Sequence, residues 1–112
     1  LQDLINENGG EMSQTYGVPV EEIERGIKSG VRKINIDTDC RMAITGYFRK
    51  TAKEKPAEFD PRKFAIPGMK AMEDLCADRF ERFGTAGHAG KIKTMPLEKM
   101  ATSYANGELK QI

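Results

Sequence analysis

The sequence predicts an α/β fold in which a single strand stands between helices. Residues 31–39, VRKINIDTD, place Ile34 and Ile36 on one side of an extended backbone and gather polar side chains where the strand ends. A helical pattern lies directly before this strand, and another follows it without a proline. Helix, strand and helix in this order are typical of β/α proteins, so we expect the strand to pair with strands outside this sequence or in another chain.

Two helices are expected before the strand. The first lies within residues 1–8 and is stopped by a glycine pair. The second begins near Pro19, carries an apolar stripe of Ile23 and Ile27, and is closed by Gly30. The first helix has no capping residue ahead of it, which predicts that the chain continues upstream.

The junction between the strand and the next helix is the candidate ligand site. Residues 40–53 keep apolar side chains at near-helical spacing, and either Thr38 or Asp39 is the expected N-cap of this helix. Free N–H groups and the helix dipole favour a phosphate at such a junction. The same polar residues are also common in turns and caps that bind nothing, so spacing alone leaves both interpretations open.

Prolines and glycines divide the second half of the chain. Asp60 and Pro61 form an expected N-cap and first helical position. The Ile-Pro-Gly sequence at residues 66–68 predicts an interruption before the strongest helical pattern, residues 69–83, whose Met and Phe stripe is typical of a packing face. A last helix is expected within residues 97–109, ending at an Asn-Gly pair.

Composition restricts the class of protein. The 112 residues suit one small domain or part of a larger one, and the 38% hydrophobic share and mean hydropathy of −0.58 are low for a self-sufficient core. Eighteen basic residues balance 17 acidic ones, so charge does not favour nucleic acid or an anionic membrane as a partner. Because we see neither a long apolar run nor a signal peptide, we expect a soluble, cytoplasmic protein with no membrane partner.

Three apparent motifs carry no chemistry of their own. Residues 84–91, GTAGHAGK, fail as a phosphate loop because five residues separate the outer glycines and Ile92 stands where Ser or Thr must follow. His88 has no second ligand at metal spacing and is expected on the surface or in a loop. Cys40 and Cys76 are interpreted as buried, reduced thiols rather than a disulfide.

One long stretch resembles a known family. Residues 17–50, GVPVEEIERGIKSGVRKINIDTDCRMAITGYFRK, resemble the last β/α units of class II, metal-dependent fructose-1,6-bisphosphate aldolases. FDPRKF at 59–64, AMEDLCADRFERFGTAG at 71–87 and KIK at 91–93 resemble the C-terminal region of the same family. The resemblance implies that residues 1–112 are the C-terminal segment of one (β/α)8 TIM barrel, holding its last strand and C-terminal helices.

The resemblance also implies which residues bind substrate. Asn35 and Asp37 would contact the dihydroxyacetone phosphate part, and Thr38 would help to hold its phosphate. Arg41 resembles the arginine that reaches the other phosphate in a neighbouring subunit's site. Asp60 and Arg62 match positions that line the same end of the substrate, and guanidinium groups suit bidentate recognition of phosphate.

The implied activity is reversible, zinc-dependent cleavage of fructose 1,6-bisphosphate to dihydroxyacetone phosphate and glyceraldehyde 3-phosphate, a reaction of glycolysis, gluconeogenesis and the Calvin cycle. The family's zinc-binding histidines and its proton-transferring carboxylate match no position here, so we expect no catalytic or metal-binding residue in this segment, which alone would not catalyse. A second divalent or monovalent cation and a homo-oligomer, dimer or tetramer, fit the same resemblance.

Two other functions stay open at this point. A tagatose-bisphosphate aldolase would share the scaffold and the phosphate groups, although the DPRKF and AMEDLCADRF stretches favour fructose. A non-catalytic helical fragment would instead use the apolar stripe of residues 69–83 for assembly.

Overall fold

The computed structural model describes residues 1–108, and these fold into an elongated arrangement of helices measuring 62 × 32 × 24 Å. Within that range there are five α-helices and one 3₁₀ turn at Ala89–Lys91. The α-helices are α1 (Gln2–Glu7), α2 (Val20–Lys28), α3 (Thr38–Glu54), α4 (Pro61–Arg82) and α5 (Leu97–Ala105).

The centre of the molecule is an antiparallel hairpin of α3 and α4. Phe48 of α3 stacks on Phe64 at the start of α4, with ring centroids 6.2 Å apart. At the other end, Asp39 in the first turn of α3 pairs with Arg79 near the end of α4. Helix α1 packs across α3, and the buried apolar side chains of the described residues are Ile5 and Ala43.

Two glycines allow these helices to approach closely. A Cβ atom at Gly68 would lie 3.3 Å from the carbonyl oxygen of Ile44, and one at Gly46 would lie 2.8 Å from Cδ2 of Leu4. Glycine inside a helix costs about 0.5–1 kcal/mol relative to alanine. The close crossing of α4 on α3 gives a physical reason for glycine at residue 68.

The predicted strand is the main difference from the sequence-based expectation. Residues 31–37 contain no strand, and none occurs elsewhere in the described part of the chain. A strand is defined by its bonds to a neighbour, and a lone parallel-type strand has nothing to pair with here. The residues of this segment are mostly exposed, including Val31 and Ile36.

Most helix boundaries agree with the local signals. The first helix ends before Gly9, which has a φ of +84°, and α2 ends before Gly30, which has a φ of +111°. Helix α5 ends at Asn106 and Gly107 as expected, although Leu109, the last residue of the predicted range, lies outside the described residues. The predicted N-cap of α3, Thr38 or Asp39, is wrong by one or two residues, because Asp37 holds that position.

Helix α4 confirms one prediction and overturns another. Its N-cap is Asp60, whose carboxylate accepts the N–H of Arg62 at 3.0 Å, and Pro61 is the first helical residue. The predicted interruption at residues 66–68 is wrong, because α4 continues through Pro67. Packing of the adjacent Gly68 on α3 offsets the hydrogen bond that a proline removes from a helix.

Among residues 1–108, no helix combines the length and the apolar character needed to cross a membrane.

Candidate functional site

Three of the six candidate residues line one cavity of about 310 Å³. Asn35, Asp37 and Thr38 form one side of it, at the start of α3. The other side comes from the residues before and within α2 and from Arg79 of α4. The cavity therefore lies where α2, α3 and α4 meet the non-helical segment at residues 31–37.

The motif residues are exposed to solvent and make few bonds within the chain. The amine of Lys33 donates a hydrogen bond to Oδ1 of Asn35. The Asp37 side chain makes no capping hydrogen bond to the first turn of α3. The first turn of α3 thus has no side-chain cap, and the positive end of the helix dipole lies at the motif, an arrangement that favours an anion.

Arg41 is held beside the motif by Asp37. Nε of Arg41 lies 2.9 Å from Oδ1 of Asp37, and Nη2 lies 2.8 Å from Oδ2. This bidentate pair raises the pKa of the Arg41 guanidinium. Arg41 and Thr38 also line a second cavity, of about 450 Å³, between α3 and the loop after α1.

Arg79 also lines the first cavity, although the sequence motif did not indicate it. Its Nη2 lies 3.1 Å from Oδ2 of Asp39, its Nη1 bonds the carboxylate of Asp78, and its side chain is only 15% exposed. Asp39 also lines the cavity. The sequence places Arg79 beside the packing face of its helix, three residues after Cys76, but it does not indicate the contact with Asp39.

One turn further along α4, Arg82 ties the helix to α2. Its Nε lies 2.7 Å from Oε1 of Glu24, and its Nη2 lies 2.8 Å from Oε1 of Glu21. The hydrogen bond from Arg82 lowers the pKa of the Glu21 carboxyl. These contacts fix the end of α4 against α2, outside the cavity that contains the motif.

Asp60 and Arg62 lie at the opposite end of the hairpin. Nη2 of Arg62 is 2.7 Å from Oδ2 of Asp60, and this side-chain bond, followed by the bond from the Arg62 backbone N–H, lowers the pKa of Asp60. Phe64 packs against Phe48, ten residues along α3 from Thr38, so the two sets are separated by about 15 Å or more at 1.5 Å per helical residue. Asn35, Asp37, Thr38 and Arg41 thus lie together in this chain, whereas Asp60 and Arg62 lie apart from them.

Comparison with known proteins decides the family. The family model of class-II fructose-bisphosphate aldolase matches residues 13–88 of the chain. The chain belongs to this family. Fructose-bisphosphate aldolase 2 of Rhodobacter capsulatus is 67% identical over 109 residues, which cover 97% of this chain and 96% of that protein.

Two further relatives are much longer than this chain. Fructose-bisphosphate aldolase 1 of Cereibacter sphaeroides is 70% identical over 97% of the chain, and fructose-bisphosphate aldolase class 2 of Synechocystis sp. is 59% identical over 96%. The chain spans about 30% of the length of each.

The chain does not assemble a metal centre from its described residues. Within residues 1–108, no three His, Cys, Asp or Glu side chains converge in a way that could hold a metal ion. His88 is exposed at the start of the 3₁₀ turn, as expected for a loop histidine. Cys40 and Cys76 are free, half-buried thiols, and burial, together with the neighbouring Cys76, raises the pKa of Cys40.

Proposed function

We propose that this chain is the C-terminal segment of a class II aldolase subunit, residues 1–112 forming the end of one (β/α)8 barrel domain. The complete subunit would reversibly cleave fructose 1,6-bisphosphate to dihydroxyacetone phosphate and glyceraldehyde 3-phosphate in the cytoplasm. The observation that carries the proposal is that Asn35, Asp37 and Thr38, in a chain of this family, line one cavity at the N-terminus of α3.

Each motif residue has a chemical role in this proposal. The amide of Asn35 and the carboxylate of Asp37 orient the hydroxyl and carbonyl groups of the dihydroxyacetone part through hydrogen bonds. The hydroxyl of Thr38 and the N–H groups of the first turn of α3 bind its phosphate. Arg41 binds the second phosphate, for which the family resemblance favours the site of a neighbouring subunit.

The distance between the two ends of the hairpin favours an oligomeric enzyme. Asp60 and Arg62 cannot reach a sugar bisphosphate that is bound at Asn35 of their own chain, because about 15 Å of α3 lies between them. If both sets bind substrate, they come from different copies of the chain. We therefore propose a homo-oligomer, either a dimer or a tetramer, in which Asp60 and Arg62 serve a partner's site.

Zinc dependence is part of the same proposal, but it concerns residues outside this chain. The described residues offer no cluster of zinc ligands, so they do not fit the metal. The roles proposed for the residues of this chain involve neither zinc nor a second cation. The contribution proposed for this chain is to bind and orient the two phosphate-bearing parts of the substrate.

The test is aldol cleavage by the full-length protein with Asn35→Ala or Asp37→Ala. Loss of one hydrogen bond to a charged group, about 1.5–3 kcal/mol, predicts a 10- to 100-fold lower kcat/KM for fructose 1,6-bisphosphate. Matched controls are Asn106→Ala, after α5, and Asp3→Ala, in the first turn of α1, both far from the cavity in sequence.

Two results would contradict the proposal. Full activity in both motif variants would show that the site is assigned wrongly. A full-length protein that cleaves tagatose 1,6-bisphosphate in preference to the fructose isomer would favour the alternative substrate. An intact mass well over twice 12.5 kDa is a precondition for either assay, since a barrel of this kind takes about 250 residues.

A further inference from the structure

Four charged side chains line the cavity that holds the motif. Lys33 and Arg79 are positive, whereas Asp37 and Asp39 are negative, so the charges of the lining cancel. A phosphate dianion entering this cavity therefore meets no net repulsion from the side chains. Loss of either cation would leave the lining with one net negative charge.

Asp39 is the residue whose charge most needs compensation. It lies in the first turn of α3, next to Thr38, where the helix dipole and the free N–H groups attract any anion. An unpaired carboxylate at this position would compete with a bound phosphate for the same groups. Its only side-chain bond recorded within residues 1–108 is the one to Arg79.

Arg79 is well placed to hold the Asp39 carboxylate away from the N–H groups at the start of α3. Its guanidinium reaches from α4 to Asp39, 40 residues earlier in the chain, and its side chain is 15% exposed. Partial burial makes the attraction stronger than that of an exposed surface pair. A second bond, to Asp78 on its own helix, fixes the orientation of the fork.

We propose that Arg79 is a positioning residue for substrate binding, which neutralises and orients Asp39 so that the N-terminus of α3 stays available to a phosphate of the sugar bisphosphate. This inference rests on the proposed function. Arg79 would act on the site through Asp39 and need not contact the substrate.

The test compares Arg79→Met with the double variant Arg79→Met/Asp39→Asn in the full-length enzyme. We expect Arg79→Met to raise the KM for fructose 1,6-bisphosphate about tenfold, the effect of one extra negative charge near a dianion in solvent, with kcat changed far less. Asp39→Asn in that background removes the exposed charge and restores KM. The rise in KM should also shrink as the salt concentration increases.

The matched control is Arg82→Met, the same substitution three residues along α4. Arg82 also bridges helices, but its partners Glu21 and Glu24 lie outside the cavity. We expect this variant to lower the Tm without raising KM. If Arg79→Met does not fold, Arg79→Lys provides a second variant, which keeps the charge but loses the fork, and it should raise KM less than the about tenfold rise expected when the charge is lost.

The outcomes separate this inference from the function on which it rests. If Asp37→Ala loses activity but Arg79→Met leaves KM unchanged, or the double variant keeps the raised KM, Arg79 is only a structural residue and the inference is wrong. A salt-independent rise in KM would lead to the same conclusion. If the full-length protein does not cleave the bisphosphate, the proposed function fails and this inference fails with it.

Discussion

The two ends of the α3–α4 hairpin both carry arginine–carboxylate pairs, but the pairs are built differently. At the motif end, Arg79 reaches Asp39 across 40 residues of sequence and is largely shielded from solvent. At the turn end, Arg62 pairs with Asp60, two residues earlier, and its side chain is 85% exposed. The first pair joins two helices, whereas the second is a local cap whose arginine remains accessible.

This difference indicates what each end can do. A shielded pair between helices fixes the geometry of the site within one chain, because separating it would leave a partly buried charge alone. An exposed local pair contributes little to stability and can exchange its partner for a phosphate. In the proposed enzyme, Asn35, Asp37 and Thr38 are therefore suited to binding substrate on their own chain, and the turn end to contacting a ligand held by another.

The strongest test of this comparison is subunit complementation. Asp37→Ala and Arg62→Ala should each lower kcat/KM by about 10- to 100-fold, because each removes a charged hydrogen-bonding group. If the two ends serve different copies, each mixed dimer contains one intact site out of its two. Random mixing of the two variants makes about half of the dimers mixed, so it restores about a quarter of wild-type activity.

The complementation assay needs the two variants denatured and refolded together, with each refolded alone as the control. No recovery in the mixture, with both proteins folded and assembled, would mean that both residues act within one chain. The comparison between the two ends would then be wrong.

A smaller effect is expected from Arg41→Ala. Loss of a bidentate guanidinium contact to phosphate should lower kcat/KM for the bisphosphate about tenfold, and should affect a substrate that lacks the second phosphate much less. Arg25→Ala is the matched control, since Arg25 forms a similar exposed pair with Glu22 one turn earlier. Equal losses on both substrates would contradict the role given to Arg41.

The close contact between α3 and α4 can be disrupted without changing either arginine–carboxylate pair. Gly68→Leu should destabilise the protein by about 1–3 kcal/mol, because the added side chain meets the backbone of Ile44. The measurement is the urea midpoint of unfolding, and Gly90→Leu is the control, since a Cβ atom at Gly90 meets no atom within 4 Å. Equal midpoints for the two variants would mean that α4 can move away from α3 without loss.

The smallest effect concerns pH at the turn end. Arg62 lowers the pKa of Asp60 in the folded protein below its usual value of 3.8, so the stabilisation is complete above pH 3.8 and is lost as the pH falls through the lower, folded value. Urea midpoints measured from neutral pH down to strong acid should therefore fall less steeply for Asp60→Asn, which keeps an acceptor but does not titrate. Identical slopes would show that this cap has no role in acid unfolding.

Much of this fold was predictable because its signals are local. Asp60 followed by Pro61 begins α4, Gly30 ends α2, and an Asn-Gly pair ends α5, since each depends only on the conformational preferences of a few neighbouring residues. The grouping of Asn35, Asp37 and Thr38 was predictable for the same reason. They are close in sequence and follow one another into α3.

The differences from expectation occur where distant residues decide. The strand expected at residues 31–37 does not form in the described chain, because a strand needs a neighbour to bond with and its expected neighbours lie outside this sequence. The break expected at Pro67 is absent because the packing of Gly68 on Ile44 outweighs the cost of one proline.

The sequence by itself determined most of the helix boundaries, the polar motif at residues 35–38 and the family to which they belong, since all of these are written in adjacent residues. Tertiary structure alone decided that Arg79 joins this motif and that Asp60 and Arg62 lie far from it. The physical reason is that the antiparallel packing of α3 on α4 sets which residues meet. That packing depends on contacts between residues 16 to 40 positions apart, which no local preference specifies.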